Sequence, residues 1–102
     1  TGDFQAVVKA CEAVDESLGE VVTAAIGSDY SVIVLADHGN ADYMINDDGS
    51  PNTQHSLNLV PCILIDKDKK AIKNGKLGDI APTILELMGI EKPVIMTGLS
   101  LV

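Results

Sequence analysis

The chain has 102 residues and a net charge of −8, with 46% hydrophobic and only 3% aromatic residues. That length fits one small domain with a core of its own, and the apolar fraction argues against disorder. The acidic balance argues against nucleic acid or anionic membranes as partners, because both need excess positive charge. All seven basic residues are Lys and none is Arg. A phosphate or carboxylate clamp ordinarily relies on Arg forks, so positive charge for an anionic substrate must come from outside this chain or from metal ions.

Phe4, Val7, Val8, Cys11, Val14, Leu18, Val21, Val22 and Ala25 recur at spacings of three and four, with acids and Lys9 between them. This pattern predicts an amphipathic helix from about Asp3 to Ala25, one face laid on a sheet and Gly27-Ser28-Asp29 ending it. Ser31 to Ala36 follows as a strand whose unbroken aliphatic block, Val32 to Leu35, is the mark of burial on both faces. Asn40 to Asn58 is a long polar excursion, and Asn46 to Asn52 is dense in turn formers. A polar loop this long in a small domain is expected to carry function. Tyr43-Met44-Ile45 within it fits a short edge strand.

Val60 to Ile65 is a second apolar strand, entered through Pro61. Asp66 to Lys70 reads as a charged, solvated turn rather than a phosphate patch. Asp79 is placed as the N-cap of a helix with Pro82 in its first turn. Ile80, Ile84, Leu87 and Met88 form its buried face, and Gly89 closes it. The tail from Ile90 to Val102 is expected to be irregular, with Leu99 and Leu101 tucked in. Cys11 and Cys62 fall in apolar patterns and read as small core residues in a reducing cytosol. Neither a signal peptide nor an apolar span of about 20 residues is evident, so the expected location is cytoplasmic.

Two strands that read as fully buried have few elements here to flank them. The chain is therefore expected to be α/β and part of a larger sheet, with no domain boundary inside residues 1–102. Asp37, His38 and His55 carry the candidate chemistry. Asp37 and His38 stand at the C-terminal end of the first strand, where open α/β sheets bind ligands, and His55 lies in the long loop. Carboxylate and imidazole suit a divalent transition metal, and structural loop histidines are the competing reading. No G-x-S-x-G turn marks a hydrolase elbow. Asn40 and Asp42 fit either as partners that orient His38 or an ion, or as caps of the turn.

Ala36-Asp37-His38-Gly39-Asn40-Ala41-Asp42, with Thr53-Gln54-His55-Ser56 and Val60-Pro61, resembles the metal-binding end of the cofactor-independent (bisphosphoglycerate-independent) phosphoglycerate mutases of the alkaline phosphatase superfamily. Asp79 to Leu85 and Thr97 to Leu101 resemble the carboxyl-terminal end of the same family. The resemblance implies the carboxyl-terminal part of a mixed sheet flanked by helices, within a larger three-layer, metal-binding domain. It implies interconversion of 3-phosphoglycerate and 2-phosphoglycerate in glycolysis, with two Mn²⁺ or other divalent ions. Asp37 and His38 then match ligands of one ion and His55 a ligand of the other. The phospho-acceptor Ser, the remaining ligands and the Arg-rich substrate clamp lie outside this chain, so the rest of the same polypeptide is the implied partner and the fragment alone is expected to be inactive. Other metal-dependent phosphotransferases or hydrolases of the superfamily share the Asp-His-Gly core, though not the Asn40-Ala41-Asp42 extension. Outside the superfamily, a non-catalytic α/β module is the alternative.

Overall fold

The computed structural model describes residues 2–68 and 71–102. The order of elements is α1 (Phe4–Gly27), β1 (Val32–Leu35), β2 (Cys62–Ile65), a 3-10 turn (Leu77–Asp79) and α2 (Ile80–Leu87). β1 and β2 are hydrogen-bonded neighbours in a two-stranded sheet, and α1 packs on β1. Helices with a small sheet agree with the α/β class expected. The fold divides into two compact units, residues 1–63 and 64–102. Each is described by itself.

In the first unit, α1 begins where the Asp3 carboxylate accepts the Ala6 N–H at 3.1 Å. That satisfies one of the four backbone donors a helix start leaves orphaned. The helix ends in a Schellman turn. The Tyr30 N–H donates to the Ala25 carbonyl at 2.9 Å and the Asp29 N–H to that of Ile26 at 3.1 Å. Asp29 takes the left-handed conformation the motif requires, with φ 66°; Asp is among the few residues besides Gly that tolerate it. No residue of α1 is buried, and Val14 and Val21 are 65% and 63% exposed. The apolar stripe is real, but among the described residues nothing covers most of it. Cys11 is correspondingly an exposed free thiol rather than a core residue, and Cys62 is half-buried.

β1 and β2 lie inside the two expected strands but are shorter and only half-buried, with Leu35 and Ile63 exposed. Burial on both faces needs two covering layers, which the described residues do not provide. The long loop is internally ordered. Ile45 pairs with Pro51 in an antiparallel bridge, so Tyr43-Met44-Ile45 supplies a single bridge residue rather than a strand. The turn between closes through Gly49 N–H to the Asn46 carbonyl at 2.9 Å, with Gly49 at φ 81°.

The second unit is organised around two buried polar residues. Asp79 occupies the N-cap position of α2 yet makes no side-chain cap bond there. Its carboxylate instead accepts the backbone N–H of Leu99 and of Lys76, each at 3.0 Å, tying the tail and the approach to the helix to one point. Thr83 is fully buried. Its hydroxyl donates to the Asp79 carbonyl at 2.7 Å and accepts the Leu101 N–H at 3.0 Å. The buried residues of α2 are accordingly Pro82 and Thr83, while Ile84 and Met88 of the expected apolar face are exposed. The tail is irregular, as expected, with Leu101 buried but Leu99 70% exposed. Gly89, at φ 68°, closes α2 with a second Schellman turn, Ile90 N–H to the Leu85 carbonyl at 2.9 Å. Asp66 accepts the Asp68 N–H at 2.9 Å in the charged turn, whose Lys69 and Lys70 lie outside the described residues.

Candidate metal centre

Just beyond the end of β1, the chain turns through Asp37 and His38 into the loop. The Nδ1 of His38 lies 3.1 Å from the Gly39 carbonyl oxygen. We assign the Nδ1–H tautomer on that contact, because a carbonyl can only accept. The Nε2 lone pair is then left facing Asp37, whose Oδ1 is 3.5 Å away. Two acceptors converging in this way are repulsive until a proton or a cation lies between them. Two ligands about 2.1 Å from one tetrahedral ion stand roughly 3.4 Å apart, so the separation suits a shared divalent cation. Access is open as well, since the Asp37 side chain is 86% exposed and that of His38 37%.

His55 reaches the same place from the far side of the loop. Its ring stacks on that of His38, with centroids 3.5 Å apart and planes 11° from parallel. All three residues singled out by the sequence are therefore brought together at one strand end. The donor types fit a divalent metal, but their number does not close a coordination sphere. Among the described residues, no group of three or more His, Cys, Asp or Glu side chains is arranged to hold an ion.

The loop is stitched to the strand end on both sides of His55. The Asn40 side-chain amide donates to the Gln54 carbonyl at 3.3 Å, and the Ser56 N–H donates to the Gly39 carbonyl at 2.8 Å. Gly39 and Ser56 form an antiparallel bridge. A Cβ on Gly39 would run into the Ser56 hydroxyl and come within 2.7 Å of an Asp42 oxygen, so the glycine is required here by close approach. Asp42 bonds across the loop. Its carboxylate accepts the Ser56 hydroxyl at 2.8 Å and the Asn58 side-chain amide. Those two donors, Asn58 foremost, hold the Asp42 carboxyl below the usual carboxylate range. The sequence alone leaves Asp42 open between two roles and assigns none to Ser56 or Asn58. The signal available was their position, beside His55 and three residues beyond it.

A family model described as the Metalloenzyme superfamily matches residues 1–92. The chain is also similar to curated proteins named 2,3-bisphosphoglycerate-independent phosphoglycerate mutase. It is 59% identical to that of Flavobacterium johnsoniae over 99% of the chain, 53% identical to that of Salinibacter ruber over its full length, and 50% identical to that of Bacteroides thetaiotaomicron over its full length. In each case the chain spans 20% of the relative's length. With nine-tenths of its residues inside the family model, this chain belongs to the Metalloenzyme superfamily.

Proposed function

We propose that this chain is the carboxyl-terminal segment of the metal-binding domain of a phosphoglycerate mutase that needs no bisphosphoglycerate, and that the whole protein interconverts 3-phosphoglycerate and 2-phosphoglycerate in cytoplasmic glycolysis. Asp37 and His38 hold one divalent ion, Mn²⁺ by the family resemblance, and His55 contributes to a second. The observation that carries this reading is the convergence of the Asp37 carboxylate and the His38 Nε2 lone pair, with the His55 ring stacked alongside. The names of the relatives support the reaction, and the superfamily supports the use of metal.

When bound, the ions neutralise charge on a transferring phosphoryl group and activate its oxygen acceptor, which suits an anionic substrate to a segment of charge −8. The chain's own residues have a narrower task. The Gly39 carbonyl holds His38 in the tautomer that leaves Nε2 available. The exposed Asp37 carboxylate supplies negative charge beside it. The phospho-acceptor serine, the remaining ligands and the substrate clamp come from the rest of the polypeptide. In line with that division, Leu57, Leu59 and Val94 stand fully open to solvent here, as surfaces that a larger domain covers.

The test is an assay that couples 2-phosphoglycerate to its removal by enolase. The full-length protein is expected to be active without added bisphosphoglycerate, to lose activity on chelation, and to regain it with Mn²⁺. The 102-residue chain alone is expected to be inactive. Full-length activity that survives exhaustive chelation, or activity in the isolated chain, would contradict the proposal.

A further inference from the structure

The loop that delivers His55 has no regular secondary structure to fix it, yet its flanks are tied to the end of β1 at several points. Gln54 is tied to Asn40 and Ser56 to Gly39, one on each side of His55. Beyond these two ties stands an assembly of side chains alone. Both Asp42 oxygens accept the Ser56 hydroxyl, at 3.1 and 2.8 Å, and one of them also accepts the Asn58 amide. An acceptor with two oxygens thus meets two donors drawn from the returning strand of the loop. Hydrogen bonds to a charged acceptor are the stronger kind, and the Asp42 carboxyl is held in its charged form. Gly39 lacks the side chain that would separate Ser56 from this assembly.

We propose that Asp42, with Ser56 and Asn58, is a clasp that sets the position of His55 against His38, and that Asp42 is a positioning residue for metal binding rather than a ligand. The clasp closes the loop at the residue that follows His55. Opening it leaves the Ser56 N–H bond to the Gly39 carbonyl as the remaining tie on that flank and loosens the hold on the imidazole over His38. This inference rests on the assignment of His38 and His55 as ligands. Groups that orient a metal ligand usually contribute 10–100-fold in metal affinity, and that range is the effect expected when the clasp opens.

The experiment measures Mn²⁺ affinity of the full-length protein by electron paramagnetic resonance of the free ion, alongside circular dichroism of the metal-free form. Asp42→Asn keeps the shape but turns one acceptor into a donor facing Ser56 or Asn58, and is expected to weaken Mn²⁺ binding about 10–100-fold. Asn58→Ala is expected to weaken it in the same direction. The exchange Asp42→Asn with Asn58→Asp restores one donor facing one acceptor and is expected to recover part of the affinity. General damage to the fold would not be repaired by that exchange. His55→Ala serves as the reference. If it leaves Mn²⁺ binding intact, the ligand assignment fails. If it abolishes binding at one site while Asp42→Asn and Asn58→Ala bind Mn²⁺ within twofold of the parent protein, the ligand assignment stands and the clasp is overturned.

Discussion

Replacing Thr83 by Val tests the polar centre of the second unit. The two side chains have nearly the same outline, so the substitution removes hydrogen bonds with little change of volume. Thr83 is fully buried, and its hydroxyl is the acceptor for the N–H of Leu101, itself only 6% exposed. Val leaves that buried donor without a partner, which costs about 1–3 kcal/mol. It also removes the bond donated to the Asp79 carbonyl, for a net loss of roughly 1 kcal/mol more at most. The expected destabilisation is therefore about 2 kcal/mol. Thr83→Ser keeps the hydroxyl and deletes one methyl, at about 1 kcal/mol. Urea unfolding followed by circular dichroism reads both as shifts of the midpoint at unchanged slope. Thr83→Val within about 0.5 kcal/mol of the parent, or Thr83→Ser costing more than Thr83→Val, would refute this account of the buried bonds.

The N–H groups of Leu99 and Lys76 depress the pKa of Asp79. Its contribution to stability is therefore complete above the unfolded-state value of about 3.9 and is lost as the pH falls through the lower folded-state value. Asp79→Asn is expected to flatten stability against pH in that acidic window. An identical slope in the variant would contradict the assignment. Gly39→Ala places a methyl against the Ser56 hydroxyl and is expected to weaken Mn²⁺ binding by about tenfold or more. Because it disturbs the same assembly as Asp42→Asn, the two effects should be less than additive, and a double-mutant cycle with fully additive losses would separate them.

Most elements were legible in the sequence because each has a local cause. The three-four spacing marks α1, the aliphatic runs mark β1 and β2, and Gly89 stops α2 at a conformation L-residues avoid. Burial was less legible. Val14, Val21, Ile84 and Met88 fall on apolar faces, but periodicity only says which face seeks cover, and in this segment those four remain exposed. Asp79 read as a cap because its position is one. That one of its oxygens turns instead to Leu99, twenty residues on, depends on where the tail runs. The three candidate ligands were legible by type and by resemblance. Their meeting was not, because it depends on the bridge between Gly39 and Ser56 and on the reach of Asp42 across the loop, neither of which has a periodic signature.

The most direct test of the account is the metal content of the full-length protein carrying His55→Ala, measured by elemental analysis after gel filtration in trace Mn²⁺. With Asp37 and His38 on one ion and His55 on another, the variant is expected to retain one ion of two and to lose nearly all mutase activity. Parental metal content in that variant would contradict the claim that His55 is a ligand of the second ion, and with it the two-ion reading of this strand end.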